Sequence, residues 1–360
     1  MWHYPSASSF DNLTQAQAVL DFCAREGVNR IYSGSYATWT GGNATRKANL
    51  RSFLETARAS GIRVEALLDG TDWQDNPALV QTRIDQILAL HNASSSNPND
   101  DFAAIHFDCE FWLDPTWTGN EANKRQVAIR YLDNVLANAR DFLALRNAAH
   151  IGIAVDLSSH FDASSFLPTA FAYDGTTQYF LQHVLDLVDD VVLMSYYDNT
   201  TALSNVSVPE LDMAAAKGRR IQLGADVQPT PPEVASNTFA DNAPTCHVAM
   251  TTTLESFHAG LSANRLAALD GFTVFHYGGY LSAMPAVRNI ADWDGDGDAD
   301  ASDFNAFAPH LAGPDQAVAG LGRDADFDLD GDVDLADAAL LQLCFTGPGI
   351  SGPIPSACER

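Results

Sequence analysis

No apolar run in these 360 residues approaches the ~20 needed to cross a bilayer. The opening MWHYPSASSF has neither a basic start nor an apolar stretch, so it does not read as a signal peptide. Basic residues are scarce. Against 46 Asp and Glu stand 20 Lys and Arg, a formal net charge of -26, which argues against nucleic acid or an anionic membrane as partner and suits calcium or neutral substrates. The five cysteines (23, 109, 246, 344 and 358) form no CxxC pair and no tight cluster, so neither a zinc site nor a disulfide framework is indicated. Only Cys344 and Cys358, flanking a Gly/Pro-rich tail, are placed as a plausible pair. What the chain does have is 46% hydrophobic and 10% aromatic residues, enough for one large core and a small appendage.

Short apolar segments alternate with amphipathic ones eight times. The strands are expected at 1-4, 29-36, 63-70, 102-108, 150-156, 190-196, 220-226 and 271-277. Helical patterns lie between them, at 13-26, 46-60, 78-91, 122-148, 179-189, 208-217, 253-269 and 281-290. Eight βα units predict an α/β fold, a (β/α)8 barrel, because an open doubly wound sheet rarely runs to eight such regular units. The first strand begins at Met1 with no lead-in. Either the natural chain begins upstream and a leader is missing here, or the first strand is short.

The segment FAAIHFDCEFW (102-112) is apolar up to His106 and then presents Asp108 and Glu110 at i, i+2, on one side of a strand. Burying both acids in a core would be costly, so a barrel mouth is the economical place for them, although a strand that merely ends in solvent would look the same. The other strand ends would bring His3, Tyr4, Ser35, Tyr36, Asp69, Asp72, Trp73, Asp156, Tyr196, Asp198, Asp226, His276 and Tyr277 to that mouth. None offers the Arg, Lys or Gly-rich loop a phosphate would need. Carboxylates that do acid/base work, with Trp and Tyr faces for sugar rings, fit a carbohydrate. Glu110, Asp108, Tyr196 and Asp226 are the catalytic candidates, and Tyr36, Asp69, Trp73, Trp112, Asp198, His276 and Tyr277 the substrate-binding ones. Each has a plainer reading: Trp73, Trp112 and Trp117 as loop anchors, His106 as a hydrogen-bonded core histidine, His276 and Tyr277 as structural partners, and Asp69, Asp72 and Asp156 as caps.

IHFDCE resembles the end of the fourth-strand signature DxxDxDxE of the chitinase-like glycoside hydrolases of family 18, and VVLMSYYD resembles their sixth-strand Met-x-Tyr-Asp segment. The resemblance implies a TIM barrel, a proton donor at Glu110, an assisting Asp108 and Tyr196, and a substrate N-acetyl group as nucleophile. The chain departs from the pattern at Ala103 and His106, which replace the earlier aspartates, at Tyr197 in place of the sixth-strand Asp, and in having no eighth-strand Trp. A divergent family follows. A second arrangement, used by many retaining barrels, would make Asp226 on strand seven the nucleophile, with ~5 to 5.5 Å between carboxyls for retention and ~6.5 to 9.5 Å for inversion. Glu110 would need a raised pKa, for which ionised Asp108 and the apolar Phe107 and Phe111 are the expected causes.

DWDGDGDADASD (292-303) and DFDLDGDVDLAD (326-337) repeat in one register and fit the calcium loop DxDxDG. The metal-ligand candidates are Asp292, Asp294, Asp296, Asp298, Asp300 and Asp303, then Asp326, Asp328, Asp330, Asp332, Asp334 and Asp337, for two Ca2+. With the FNAFAPHL and AALLQLCF segments they resemble the paired loops of a type I dockerin, which implies export to an extracellular site and a cohesin-like partner. The Ser/Thr pairs often used for such contact are replaced by Ala301-Ser302 and Leu335-Ala336. The expected organisation is a barrel at 1-289, a dockerin-like module at 290-346 and a Gly/Pro-rich tail at 347-360, with no cofactor for catalysis. Three functions fit: a secreted glycoside hydrolase, a catalytically silent sugar-binding barrel, and a calcium-dependent interaction or scaffold protein.

Overall fold

Predominantly apolar strands are driven to lie parallel under covering helices, and eight do so here. They are β1 (Trp2–His3), β2 (Arg30–Ser33), β3 (Arg63–Gly70), β4 (Ala104–Cys109), β5 (Gly152–Ser158), β8 (Asp190–Met194), β9 (Ile221–Asp226) and β10 (Leu269–Phe275). The computed structural model describes residues 1-5, 9-34, 43-90, 101-117, 120-161, 166-228, 235-242, 246-283, 289-292, 298-316, 325-328, 330-349 and 358. Strand order follows the chain, β1-β2-β3-β4-β5-β8-β9-β10, with parallel pairing throughout. Trp2 of β1 meets Phe275 of β10 edge-on at 5.4 Å, which brings the two ends of the sheet together. This is the α/β TIM barrel that the eightfold alternation predicts.

Alternation along each strand separates two cores. Ile105, Phe107 and Cys109 of β4 point outward into the large cluster under the helices, while Trp2, Tyr32, Leu67 and Val192, backed by Phe275, fill the barrel axis. Tyr32 donates from its hydroxyl to Gln222 Oε1 at 2.6 Å, across the barrel from β2 to β9. Gly224 lets these rings close. A Cβ there would sit 3.0 Å from Tyr196 Cε1 and 3.2 Å from the Trp2 indole.

Helices differ from the periodicity in instructive ways. The stretch expected as one helix over 122-148 is Glu121–Tyr131, a π-helical Leu132–Ala137 and Asn138–Leu145. An inserted wide turn leaves the apolar pattern almost unchanged, so sequence does not show it. The helix expected from Val208 runs from Thr200 to Ala216, straight through Pro209, and Asn199 caps it by accepting from Ala202 N at 2.8 Å. The stretch 253-269 is two helices, Cys246–Ala259 and Ala263–Ala268, and Leu269 already belongs to β10. A small antiparallel hairpin, β6 (Phe171–Tyr173) with β7 (Thr176–Gln178), was not expected.

Toward the C-terminus a separate hydrophobic cluster gathers Ala291, Ala299, Phe307, Ala325, Phe327, Val333, Leu341, Cys344 and Cys358. Helices Ala301–Phe307 and Leu335–Leu343 follow the two acidic loops. Cys344 and Cys358 form a disulfide, with Cα atoms 5.5 Å apart. Beside it Asn289 Nδ2 donates to Cys344 O and Ile290 N to Cys358 O.

Candidate active site at the barrel mouth

Polar residues enter the barrel from its base. Arg63 reaches Asp190 at 2.6 Å and Glu65 at 3.1 Å, Arg30 reaches Asp190 at 3.1 Å and Asp270 at 3.4 Å, and Arg220 closes on Asp270 at 2.8 Å. Above them Glu65 Oε2 lies 2.8 Å from His106 Nδ1, and His106 Nε2 lies 3.0 Å from Asp156 Oδ1. Trp2 Nε1 donates to Asp156 Oδ2 at 2.9 Å. Glu65, His106 and Asp156 have no exposed surface. Burial opposes charge on His106, but the carboxylates of Asp156 and Glu65 outweigh it and raise its pKa to about 10. Burial likewise opposes charge on Glu65. The hydrogen bond and charge of His106, with Arg63 and Arg30, hold its pKa below the ordinary value.

The mouth is different in kind. Asp108 pairs in register with Asp69 of the neighbouring strand, and Glu110 follows, half-buried, with its backbone N–H on Gly70 O at 3.0 Å. Asp108 is pushed well above the usual carboxylate range by burial, then by the charges of Asp156, Glu110 and Asp69, and its Oδ1 is buried with no hydrogen-bond partner. Glu110 is raised by burial and by Asp156. The expectation that ionised Asp108 lifts Glu110 is therefore corrected: the charge beneath both is Asp156, and Asp108 is itself driven toward its protonated form. Phe107 points out into the helical core and Phe111 stacks on Tyr131 at 4.3 Å. Tyr4 and Tyr196 border the acids, and both phenols are raised by burial first and then by Asp108 and Asp156 among other charges.

An acid whose folded pKa is raised costs stability once pH exceeds its unfolded value. Asp108→Asn should therefore melt a few degrees higher than wild type at pH 7, the gain shrinking toward pH 4. Melts across that range that coincide would show that Asp108 bears no such strain.

The other expected residues are scattered. Tyr196 stacks on Phe275 at 5.7 Å, at the mouth. Asp226 is fully buried, and its Oδ1 accepts from Gln228 N at 2.7 Å. Asp69 is exposed at the end of β3. Trp73 is only 4% exposed and lies on Gly70, where a Cβ would fall 1.8 Å from its Nε1, so it is a core anchor without an open face. Trp112 is half-buried against Phe111 and Phe161. Asp198 accepts from Asn199 Nδ2 beside the helix it precedes. His276 Nδ1 accepts from Gly279 N at 3.1 Å, and Tyr277 packs edge-on against His3 and Phe22. Tyr197, in place of the expected Asp, brings its hydroxyl within 3.0 Å of His160 Nε2. Tyr36 lies outside the described residues.

Glu65 was missed, although its place two residues before Leu67 and four before Asp69 marks it as inward-facing. A cleft of about 710 Å³ opens at the opposite end of the barrel, beside Arg63, Asp101 and His150. His150 pairs with Asp101 at 2.9 Å and Arg140 with Asp189 at 3.6 Å there, and the carboxylates of the mouth are not in it.

In the C-terminal loops, Asp298, Asp300 and Asp303 bring carboxylate oxygens together, as do Asp326, Asp328 and Asp330, and Asp332, Asp334 and Asp337, each set within 4.8 Å. Asp332 Oδ1 is buried without a hydrogen-bond partner. Asp337 Oδ1 accepts from Phe327 N and its Oδ2 from Asp334 N, which fastens the second loop to its helix. Asp292 opens the first loop, whose Asp294 and Asp296 are outside the described residues. An all-carboxylate donor set fits a hard cation such as Ca2+.

The fold and the mouth together define an α/β barrel with an acidic mouth bordered by aromatic residues. No protein-family profile matches the chain, and no curated protein matches it in sequence. Among solved structures, it is similar to the GH18 chitinase from Cycas revoluta in complex with (GlcNAc)3, at 11% identity and a TM-score of 0.42, over 78% of this chain and 96% of that one. A Group IV chitinase from Ostrinia furnacalis in complex with allosamidin shows 14% identity and a TM-score of 0.39, over 66% and 70% of the two chains. A chitinase from Chromobacterium violaceum shows 16% and 0.35, over 63% and 68%. At these values the likeness assigns no residue a role, and the barrel stands on its own strand order.

Proposed function

We propose that this chain is a glycoside hydrolase acting on a polysaccharide or oligosaccharide, with Glu110 as general acid. The observation that carries this reading is Glu110 itself, half-buried at the mouth with its pKa raised by burial and by the Asp156 charge. Asp108 beside it orients the substrate, and Tyr4 and Tyr196 border the bound sugar. Asp226 is the weaker nucleophile candidate, since it has no exposed surface and caps the turn at Gln228. This favours the substrate-assisted route and N-acetylated sugars. The test is a panel of polysaccharides, chitin and its oligomers included, with product anomers followed by NMR. Hydrolysis of N-acetylated substrates with retention supports the reading; absence of hydrolysis across the panel, with intact binding, would leave a sugar-binding barrel.

We further propose that residues 290-346 are a dockerin-like module holding two Ca2+, on a protein exported to an oxidising, extracellular site. The carboxylate triplets and the Cys344–Cys358 disulfide support this. Leu335, 79% exposed at the start of its helix, is the apolar anchor for a cohesin-like partner. In calorimetry of the full chain, EGTA should abolish or lower by many degrees the transition of this segment while the barrel transition stays. At calcium a thousandfold above Kd, binding contributes about 4 kcal/mol. A thermogram indifferent to EGTA, with no calcium retained after gel filtration, would rule the metal out.

A further inference from the structure

We propose that His106 is a positioning residue: held between Glu65 and Asp156, it is a fixed imidazolium that pins the Asp156 carboxylate beneath Asp108 and Glu110 and so decides which acids at the mouth carry protons. The consequence for catalysis rests on Glu110 being the acid; the ionic arrangement does not.

The argument begins with donors. A neutral imidazole has one N–H; Nδ1 hydrogen-bonds Glu65 Oε2 at 2.8 Å, while Nε2 lies 3.0 Å from Asp156 Oδ1 as a close contact outside hydrogen-bond geometry, so with the proton on Nδ1 a bare nitrogen would face a carboxylate oxygen. Either His106 is a cation or one of the two acids holds a proton. Glu65 meets two guanidinium groups, Arg63 Nε at 3.1 Å and Arg30 Nη1 at 3.7 Å, which fixes it as the anion. Asp156 accepts from Trp2 Nε1 on Oδ2 and faces His106 on Oδ1, so neither oxygen is turned toward an acceptor for a proton of its own.

Charge balance points the same way. The column runs from a partly exposed base into the axis and contains the carboxylates Glu65, Asp156, Asp190 and Asp270 and the guanidiniums Arg30, Arg63 and, 65% exposed at the rim, Arg220. It is neutral only when His106 supplies the fourth positive charge. Asp108 and Glu110 lie just above this balanced set, with no cation among the described residues paired to either. Both accordingly have raised pKa values.

The groups that face His106 are Glu65 on β3, Asp156 on β5, Tyr32 on β2 at 4.4 Å between ring centres, and Asp108 and Glu110 further along its own strand. Arg30 and Arg63 act on it through Glu65, and Tyr4, Tyr196 and the Met1 amino group complete the surroundings. Of these, the two carboxylates in direct contact dominate because they are desolvated with it.

The test uses the full chain labelled with 15N-histidine, His106 being assigned by its loss in His106→Gln. Long-range 1H–15N correlation at pH 8 should show both ring nitrogens of His106 protonated; a neutral tautomer with one bare nitrogen overturns the proposal. In the second arm, 13C-carboxyl titration of Glu110 is compared between wild type and Asp156→Asn. Removing the charge should lower the Glu110 titration by about one pH unit, and the basic limb of kcat/KM should move with it. An unmoved Glu110 overturns the link from the column to the mouth. If no glycan is cleaved at all, the hydrolase reading fails, while both NMR arms still return their answer; if Asp156→Asn does not fold, the wild-type spectrum alone decides the charge on His106.

Discussion

Glu110→Gln should lower kcat on any confirmed glycan by ~10²- to 10⁴-fold, the range general acid catalysis supplies, with KM and melting temperature nearly unchanged. The substitution is close to isosteric. The backbone bond from Glu110 N to Gly70 O survives it, and no side-chain ion pair is lost, because the carboxyl is isolated by burial and by the repulsion of Asp156. If anything the variant should melt slightly higher. Loss of activity with loss of stability would instead mean that Glu110 holds the strand end together. Full activity in the variant would remove this strand end from the chemistry altogether. Asp226→Asn is the companion measurement: its buried side chain predicts a loss through the turn it caps, seen as a lowered melting temperature, with no rescue of activity by azide.

The melting temperature should also fall steeply between about pH 7 and pH 10. His106 titrates near 6.5 in the unfolded chain and is raised to about 10 in the fold, so its contribution is complete below 6.5 and disappears as pH climbs through the folded value. A separation of that size in a fully buried group is on the order of 5 kcal/mol, comparable with the whole stability of many domains. His3 works from the other side. Burial lowers its pKa to about 4, so its contribution is present above 6.5 and is lost as pH falls. The two histidines together place the optimum near neutrality. His106→Gln should be less stable at pH 7 and show a flatter alkaline slope than wild type; equal slopes would mean that other groups govern the alkaline limb.

The periodicity was enough for the barrel because its strands are mostly apolar runs, each followed by an amphipathic stretch, even though Glu65, His106, Asp156 and Gln222 break the inward faces. Helix interruptions were hidden, since neither the π turn at Leu132–Ala137 nor passage through Pro209 alters which residues are apolar. At the mouth, Asp108 and Glu110 were legible from their spacing on one strand. What governs them was not: Asp156 comes from the next strand, Glu65 from the previous one, and Trp2 from the chain's first strand. Pairwise distances across a barrel axis have no signature in a linear sequence. His106 was rightly read as a hydrogen-bonded interior histidine, yet its two partners turn it from a passive filler into the charge that completes the column. Trp73 shows the reverse error, an aromatic at a strand end that folds back on Gly70 and leaves no face for a ligand.

The clasp around Cys344 and Cys358 has a mechanical consequence. Ile290, where the C-terminal segment begins, is hydrogen-bonded to Cys358, and Cys358 is bonded covalently to the end of the last helix. Entry and exit of the segment are thus sewn together at one point, and the closing loop of about 15 residues is worth about 3 kcal/mol in the chain-entropy account. A pull delivered through the barrel reaches this knot before it reaches either acidic loop. Such a pull, exerted between the barrel and Cys358, would load the Ile290–Cys358 hydrogen bond first and leave the loops behind it until that bond gives way.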